Sequence, residues 1–143
     1  MSTQKIVVRD KMSVPVITLV ADTPYPDALK LMHERRIRRI PIVNSHNKLI
    51  GIVSERDLLH AAPSPASSLN IWEMNYLLSK LKLSDLMTKK VISVTPATPI
   101  QEAASLMLKH KVGGLPVLDE EQHVIGVITE TDIFKAFVEL VNA

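Results

Sequence analysis

Cysteine is absent from the 143 residues of this sequence. Without thiols the chain can form neither a disulfide framework nor a thiolate-bound zinc site, so a metal would have to be held by histidine and carboxylate groups. A chain without cysteine suits a reducing compartment, and we therefore expect a cytoplasmic protein.

Aromatic residues are scarce, at 3% of the sequence, and the formal net charge is only +2. Proteins that bind single-stranded nucleic acid stack bases on aromatic side chains, and proteins that bind DNA present a strongly basic surface. The composition therefore disfavours a nucleic acid as the partner.

Long hydrophobic runs are missing from the start of the sequence, where only residues 6–8 are consecutively apolar before Arg9. A secretory signal has an apolar core of about 7–15 residues, and a transmembrane helix needs about 20. We expect no signal peptide and no membrane partner. The length is nonetheless sufficient for a hydrophobic core that needs no disulfide or metal to stabilise it.

The sequence does contain an internal repeat. Residues 51–57, Gly-Ile-Val-Ser-Glu-Arg-Asp, return 75 positions later as residues 126–132, Gly-Val-Ile-Thr-Glu-Thr-Asp. A fixed offset of this kind is the signature of a duplicated structural unit. We expect one repeat at 9–62, a linker with a helix at 63–83, and a second repeat at 84–143. The same offset also pairs Met12 with Met87, Thr23 with Thr98, and Pro41 with Pro116.

Each repeat predicts the element order β-α-β-β-α. A β-branched run, at residues 16–19 or 91–94, is followed by Thr-Pro, which typically opens a helix with proline in its first position. Two β-rich runs around a short polar loop then predict a hairpin, and a second helix begins at the Ser/Thr-x-x-Asp motif. A unit of this size cannot bury both helices well, so the two copies should pack sheet to sheet.

The linker begins with a breaker-rich segment, residues 63–68, and continues into a predicted helix. Asn70, with Glu73 three residues later, is typical of a helix N-terminus. With Trp72, Tyr76 and Leu78 the helix has more apolar surface than a connector needs. It either lies on the core or contacts a second subunit. The apolar positions predicted for it are Ile71, Trp72, Leu77, Leu78 and Leu81.

The repeated motif has two interpretations. Ser54 and Thr129 take predicted N-cap positions, and Asp57 and Asp132 follow three residues later, which is the spacing of a capping box. The same groups suit a ligand, because helix N–H groups and a hydroxyl bind phosphate and an ionised carboxylate accepts hydrogen bonds from a ribose. Glycine at positions 51 and 126 leaves room for a ligand or for a neighbouring strand.

Four arginines cluster after the first predicted helix, at positions 35, 36, 38 and 39. They form a solvated face that complements the dipole at the helix C-terminus or, as the less favoured alternative, provide a patch that binds nucleic acid.

The residues predict no catalytic constellation. The five histidines are scattered without the spacing of a metal motif, and Ser54 has no base in its sequence context. We therefore expect a binding module and not an enzyme, with no metal and no catalytic cofactor.

The duplicated pattern closely resembles the CBS domain, the small regulatory module named for cystathionine β-synthase. The resemblance rests on Thr-Pro, Ala-x-x-Leu-Met, a proline-containing β run and Gly-φ-φ-Ser/Thr-x-x-Asp, each present twice in the same order between about residues 11 and 141. It implies an α/β (α+β) fold, in which two β-α-β-β-α repeats form a pseudo-twofold pair and each has a small mixed sheet flanked by helices. It also implies two symmetry-related clefts that bind adenine nucleotides or adenosyl compounds, and pairs that dimerise.

The resemblance further implies the lining of the first cleft. Asp57 is similar to the family's ribose ligand, Ser54 is similar to a phosphate ligand, and the backbone at residues 16–17 would hold the adenine edge. Arg38 and Arg39 occupy positions where many members place a basic phosphate contact. The predicted set is Val16, Ile17, Arg38, Arg39, Ile40, Pro41, Ser54, Arg56, Asp57 and Thr95.

In the second cleft Thr129 and Asp132 take the same roles, but Gly113 and Gly114 replace the two arginines. Because a charge-assisted hydrogen bond contributes about 1.5–3 kcal/mol, we expect the first cleft to bind a phosphorylated ligand more tightly. The second would be weak, empty or suited to a less anionic adenosyl group. Its predicted set is Val20, Thr23, Val91, Ile92, Gly113, Gly114, Leu115, Pro116, Thr129 and Asp132.

Together these patterns predict a regulatory, energy-sensing homodimer whose ligand is an adenine nucleotide or adenosyl compound, among them AMP, ADP, ATP and S-adenosylmethionine. The alternative is a structural or interaction subunit with vestigial clefts, whose linker helix docks a separate effector protein. A nucleotide hydrolase is disfavoured, because the residues offer no catalytic group.

Overall fold

The computed structural model of the chain describes residues 5–62 and 68–142. The predicted breaker-rich segment therefore lies almost entirely, at residues 63–67, outside the described residues. The described elements are α1 (Val8–Lys11), α2 (Tyr25–Arg35), β1 (Arg39–Val43), β2 (Leu49–Ser54), α3 (Glu55–Ala61), α4 (Ile71–Lys80), α5 (Leu83–Leu86), α6 (Ile100–His110), β3 (Gly114–Leu118), β4 (Val124–Thr129) and α7 (Glu130–Asn142).

The chain forms two compact units. One is Ile17–Val91, here called the first-repeat unit, and the other combines Met1–Val16 with Ile92–Ala143 and is called the second-repeat unit. Each contains a two-stranded antiparallel hairpin with helices before and after it, which confirms the predicted α/β class. The predicted ranges 9–62, 63–83 and 84–143 divide the chain by sequence repeat and not by packing, and they remain a prediction.

The core of the first-repeat unit lies between its hairpin and helices α2 and α3. In the hairpin Ile40 pairs with Val53, and both side chains are buried. The hydroxyl of Tyr25 donates to the Leu58 carbonyl oxygen at 2.8 Å, which links α2 to α3, and burial raises the pKa of Tyr25. The buried core residues are Tyr25, Ala28, Met32, Ile40, Ile42, Val53, Leu58 and Leu83.

The second-repeat unit has the same arrangement. Leu115 of β3 pairs with Ile128 of β4, and both are buried beneath α6 and α7. Equivalent positions of the two repeats therefore form equivalent cores. The buried core residues are Ile6, Val8, Val94, Ile100, Ala103, Met107, Leu115, Val117, Ile128 and Ala136.

The first predicted strand of the repeat is wrong, because residues 16–19 form only a single parallel bridge, between Leu19 and Ile42. The Leu19 N–H donates to the Pro41 oxygen at 3.2 Å, and the Val43 N–H donates to the Leu19 oxygen at 2.9 Å. The next ladder bond would run from residue 41 to the carbonyl of Ile17, but proline has no N–H to donate. Pro41 therefore stops the parallel ladder after one bridge.

In the second repeat the parallel ladder also stops after one bridge, for the same reason. Residues 91–94 form one parallel bridge, between Val94 and Val117, and Pro116 takes the position that Pro41 has in the first repeat. The β-branched pattern predicts strand pairing, of which one bridge forms in each repeat, and proline in the partner strand limits further pairing.

The predicted helix starts are wrong by one residue. Helices α2 and α6 begin after Pro24 and Pro99, which are N-cap residues with extended backbone. Pro24 pairs with Lys82 in an antiparallel bridge, and Pro99 pairs with Val7 in the same way. These tertiary pairings keep both prolines extended, so the first helical turn starts one position later.

A short segment after α4 packs on the first repeat. Leu83 of α5 is fully buried, and its N–H donates to the Thr23 carbonyl oxygen at 3.0 Å. In the second-repeat unit α1 has the same position: Val8 is fully buried, and its N–H donates to the Thr98 carbonyl oxygen at 2.9 Å. Each unit therefore consists of one repeat and the short segment that precedes the other repeat in sequence.

The predicted linker helix is confirmed as α4. Asn70 Oδ1 accepts a hydrogen bond from the Glu73 N–H at 2.8 Å, and the helix ends at Lys80. Leu78 packs against the core of the first-repeat unit, whereas Ile71 and Trp72 remain exposed. The interpretation that the helix lies on the core is therefore supported, and contact with a second subunit remains a prediction. Among the described helices, none is both long and apolar enough to cross a bilayer.

Candidate functional site

The candidate site of the first-repeat unit is the corner where β2 ends and α3 begins. Ser54 is the N-cap of α3, and its Oγ accepts a hydrogen bond from the Asp57 N–H at 3.1 Å. In return Asp57 Oδ2 accepts a hydrogen bond from the Ser54 N–H at 3.1 Å. The capping box predicted by the sequence is therefore formed. It occupies only part of the Asp57 carboxylate, because a carboxylate can accept about four hydrogen bonds.

Two arginines reach this corner through the backbone. The Glu55 N–H donates to the Arg38 carbonyl oxygen at 2.7 Å, and Arg39 is the ladder partner of Ser54. Arg38 is exposed, and Arg56 is exposed on the first turn of α3. The structure thus brings the backbone of Arg38 and Arg39 to the corner that holds the Ser54 hydroxyl and the Asp57 carboxylate, and it places Arg56 on the first turn of the helix. Ile40 and Pro41 follow in β1 and are buried, so they shape the corner from beneath.

The backbone N–H groups of this corner are already used. The Glu55 N–H bonds to Arg38, and the Asp57 N–H bonds to Ser54. The expectation that free helix N–H groups would hold a phosphate is therefore weakened for these two donors. A phosphate at this corner would instead rely on side-chain cations, for which Arg38 and Arg56 are the exposed candidates.

The corner of the second-repeat unit, between β4 and α7, has the same backbone but a different environment. Asp132 Oδ2 accepts hydrogen bonds from the Thr129 N–H at 2.9 Å and from the Thr129 hydroxyl at 3.2 Å. The Glu130 N–H donates to the Gly113 carbonyl oxygen at 3.1 Å, and Gly114 is the ladder partner of Thr129. The predicted Leu115 and Pro116 are buried in β3.

The two carboxylates differ in accessibility. Asp132 is buried, with 7% of its surface exposed, and both of its hydrogen bonds come from Thr129. Asp57 is only partly buried. A ligand would therefore have to displace more protein to reach the second carboxylate than the first.

The net charges of the two units also favour an anionic ligand at the first corner. Ile17–Val91 contains eleven Lys and Arg residues against seven Asp and Glu, whereas the other unit contains six against eight. The net positive charge of the first-repeat unit raises the local concentration of anions near it. The electrostatics agree with the arginine–glycine difference at the two corners.

The arginine cluster divides between two roles. Arg35 lies in the last turn of α2, where a cation complements the helix dipole. Arg36 ends the helix with left-handed backbone, at φ 55°. Arg38 and Arg39 instead belong to the corner, so neither interpretation applies to all four residues.

Some predicted site residues lie outside the corner of their own set. Val16 and Thr95, predicted for the first cleft, belong to the second-repeat unit, and Val20, Thr23 and Val91, predicted for the second, belong to the first-repeat unit. Their roles remain predictions. Ile17 and Ile92 each lie in the unit of their own corner, two residues before the single parallel bridge.

The glycines of the repeated motif accommodate protein and not a ligand. A Cβ on Gly51 would lie 2.6 Å from Met87 Sδ and 3.2 Å from the Thr88 carbonyl oxygen. A Cβ on Gly126 would lie 2.9 Å from Met12 Sδ. Of the two alternatives, the close approach of a neighbouring segment is supported. The sequence contained this signal, because Met12 and Met87 are related by the repeat offset.

Within the described residues no group of three or more His, Asp or Glu side chains could hold a metal ion. The nearest such grouping is the β3–β4 turn, where His123 Nδ1 lies 3.3 Å from Asp119 Oδ2. There the backbone N–H of His123 donates to Asp119 Oδ1 and lowers the pKa of that carboxyl.

Known proteins share both the sequence pattern and the fold. The family model described as the CBS domain matches residues 8–64 and, again, residues 83–139. A CBS domain-containing protein of Dictyostelium discoideum is 34% identical over 138 residues, which cover 96% of this chain and 95% of that protein.

Two solved structures extend the comparison. The CBS domain pair of protein MJ0100, in complex with 5′-methylthioadenosine and S-adenosyl-L-methionine, is 28% identical with a TM-score of 0.79, covering 95% of this chain and 98% of that one. The structure of CBSX2, a protein of Arabidopsis thaliana, in complex with AMP is 30% identical with a TM-score of 0.76, covering 94% and 98%. With two family matches and a shared fold, the chain belongs to the CBS-domain family and carries the domain as a tandem pair.

Proposed function

We propose that the chain is a regulatory module that binds an adenine nucleotide or adenosyl compound. The observation that carries this proposal is the corner of the first-repeat unit, where the partly exposed Asp57 carboxylate and the Ser54 hydroxyl meet and the backbone of the exposed Arg38 adjoins them. Asp57 accepts hydrogen bonds from ribose hydroxyls, and Arg38 with Arg56 neutralises phosphate. Similar CBS pairs bind AMP in one case and S-adenosyl-L-methionine with 5′-methylthioadenosine in another.

The two corners bind different ligands under this proposal. The first is the site for a phosphorylated ligand such as AMP, ADP or ATP. The second has Gly113 and Thr131 where the first has Arg38 and Arg56, and therefore no cation at these positions. It is weaker for phosphate and suits an adenosyl group of less negative charge. S-adenosylmethionine is the natural probe of that class.

The module acts without catalysis and passes its occupancy to a partner through the geometry of a homodimer. A ligand shifts such a geometry only by the difference in its affinity for the two arrangements. Energy sensing and a cytoplasmic location belong to the same proposal. The absence of cysteine and the resemblance to nucleotide-binding pairs support them.

Thermal unfolding of the chain with AMP, ADP, ATP, S-adenosylmethionine and NAD tests the proposal. A ligand that binds only the folded state raises the midpoint temperature of unfolding. At a free ligand concentration of about a hundred times Kd it adds about 2.7 kcal/mol to the free energy of unfolding. We expect a shift with at least one phosphorylated adenosine. No shift with any of the five would contradict the proposal and favour the interaction subunit. Product release from ATP would contradict the non-catalytic assignment.

A further inference from the structure

A groove lies between α2 and α4 of the first-repeat unit, and it is here called the α2–α4 groove. Its volume is about 510 Å³. Every residue of α4 remains at least partly exposed, so the two helices do not close the space between them. Small-molecule sites in proteins typically have volumes of about 300–1,000 Å³. The groove is therefore large enough to hold a ligand.

The floor of the α2–α4 groove is apolar. Leu29 of α2 and Leu78 of α4 line it and are partly buried against the core of the first-repeat unit. The side chain of Tyr25 also lines it, and the Tyr25 hydroxyl already donates its hydrogen bond to the Leu58 carbonyl oxygen. Because that hydroxyl is used, these side chains present apolar surface, which suits the apolar body of a ligand.

Three exposed polar side chains also line the groove, namely Lys30 and His33 of α2 and Asn75 of α4. Among the described residues of the lining, none is acidic. Lys30 Nζ lies 3.9 Å from Glu34 Oε1, and His33 Nε2 lies 3.8 Å from Glu55 Oε2. Both separations exceed hydrogen-bond distance and both basic side chains are exposed. A ligand anion can therefore compete for these two basic groups.

The second repeat has no basic residue at the two equivalent positions. The repeat offset places Ser105 where the first repeat has Lys30, and Leu108 where it has His33. Both Ser105 and Leu108 lie on α6, the helix that corresponds to α2. The basic pair is thus particular to the first repeat, and the second repeat provides natural substitutions with which to remove it.

The extent of the groove favours a small molecule over a protein. A stable protein interface uses about 20–30 residues on each side. Seven residues of the described chain line the groove, and they come from two helices of one unit. An apolar floor beside basic side chains is complementary to an apolar body that has one anionic group, as in an organic carboxylate.

We propose that the α2–α4 groove binds an amphipathic organic carboxylate, whose apolar body lies on Leu29 and Leu78 and whose carboxylate binds Lys30 and His33. The groove gives the module a second class of small-molecule ligand, which is not a nucleotide. The inference does not rest on the nucleotide site.

Calorimetric titration of octanoate into the full-length chain tests the inference, at concentrations below those at which octanoate forms micelles. Octanol is the matched probe, because it has the apolar body without the charge. We expect octanoate to bind more tightly than octanol. The double variant Lys30→Ser, His33→Leu should bind octanoate about five- to tenfold more weakly, because two charged contacts are lost.

Lys80→Ser is the matched control for the double variant. Lys80 is an exposed cation of α4 that lies over the Tyr76 ring, 5.1 Å from its centroid, and it is not part of the groove lining. We expect Lys80→Ser to bind octanoate as the wild type does. Circular dichroism checks that the variants remain folded.

Nuclear magnetic resonance of leucine methyl groups locates the bound octanoate. The methyl signals of Leu29 and Leu78 should shift, whereas those of Leu108, which is exposed on α6 of the other unit, should not. Octanoate binding by a chain that fails to bind AMP would support the inference and contradict only the proposed function.

Several results would overturn the assignment of the groove. They are no octanoate binding, equal binding of octanol, shifts at Leu108 alone, an unchanged affinity of the double variant, and an equal loss in Lys80→Ser. A change of oligomeric state in the double variant, measured by sedimentation, would assign the groove to a second copy of the chain and would also overturn it.

Discussion

At the residue scale, the decisive difference lies between positions that the repeat makes equivalent. The carbonyl oxygens of Arg38 and Gly113 each accept a hydrogen bond from the first N–H of the following helix. Only Arg38 adds a cation to the corner. Duplication has thus preserved the backbone of the corner while its charge has changed, and the charge is what a phosphate recognises.

Substitution of Arg38 tests this reading directly. Arg38→Ala should weaken AMP binding by about tenfold or more, because a charge-assisted hydrogen bond to phosphate is lost. Adenosine, which has no phosphate, should bind equally well to wild type and variant. Calorimetric titration measures both, with Arg35→Ala as the matched control from the end of α2. An equal loss for adenosine would show that Arg38 supports the fold and not the phosphate.

The two hairpin turns provide a second pair of equivalent residues. Asn44 Oδ1 accepts hydrogen bonds from the His46 and Lys48 N–H groups, and Asp119 Oδ1 accepts them at the same positions of its own turn. Asp119 therefore has a neutral counterpart with the same geometry. The N–H of His123 lowers the Asp119 pKa from its usual 3.8, so the ionised form is favoured in the folded state.

This shift predicts a pH dependence. The contribution of Asp119 to stability is complete above its usual pKa and is lost as the pH falls through and below that value. Denaturant unfolding at neutral pH and at about pH 3 should show a smaller acid-induced loss for Asp119→Asn than for wild type. Asn44→Asp should show a larger loss. Identical pH dependence in all three proteins would contradict the assigned cause.

At the scale of elements, the sequence allowed the hairpins, the longer helices and the capping box of α3 to be predicted, because each depends on residues close in the chain. The first strand of each repeat was mispredicted, since its pairing depends on the proline in a partner strand. The helix starts were mispredicted because Pro24 and Pro99 pair with distant segments. The packing of α1 and α5 was not predictable, because each short segment directly precedes one repeat in the sequence but packs on the other.

The candidate site could be predicted to a similar extent. The repeat singled out Ser54 and Asp57, the family resemblance added Arg38, and the structure places the backbone of all three at one corner. The sequence could not show that the Glu55 and Asp57 N–H groups are already bonded, or that Asp132 is buried. Both facts depend on tertiary packing. The first shifts the expected phosphate contact from backbone to arginine, and the second favours the first corner as the more accessible one.

The two hairpin turns also allow a test of how readily a residue type adopts left-handed backbone. Gln122 and Asn47 occupy equivalent turn positions with left-handed backbone, at φ 70° and φ 60°. Asparagine adopts this conformation more readily than glutamine. Gln122→Asn should therefore raise the free energy of unfolding by about 0.5 kcal/mol, and Asn47→Gln should lower it by a similar amount. Denaturant unfolding measures both, and a gain in both variants would rule out backbone preference as the cause.

At the scale of the whole molecule, α7 connects the second corner with exposed apolar side chains. Its first turn contains Asp132 of the second corner, and its later turns carry the exposed side chains of Phe137 and Val141. A ligand at that corner and a partner bound to these side chains would therefore act on the same helix. Such coupling is reciprocal, so any ligand that strengthens self-association must bind the dimer more tightly by the same factor.

The central claim is that the first-repeat corner is the nucleotide site, and calorimetric titration of AMP into Asp57→Ala and Asp132→Ala tests it most directly. Asp85→Ala is the matched control, because Asp85 Oδ2 accepts a hydrogen bond from the Lys82 N–H at 3.0 Å in a comparable helix cap. We predict that Asp57→Ala weakens AMP binding by at least about tenfold, whereas Asp132→Ala and Asp85→Ala bind AMP as the wild type does. Equal losses in Asp57→Ala and Asp132→Ala, or a loss in Asp132→Ala alone, would contradict the claim.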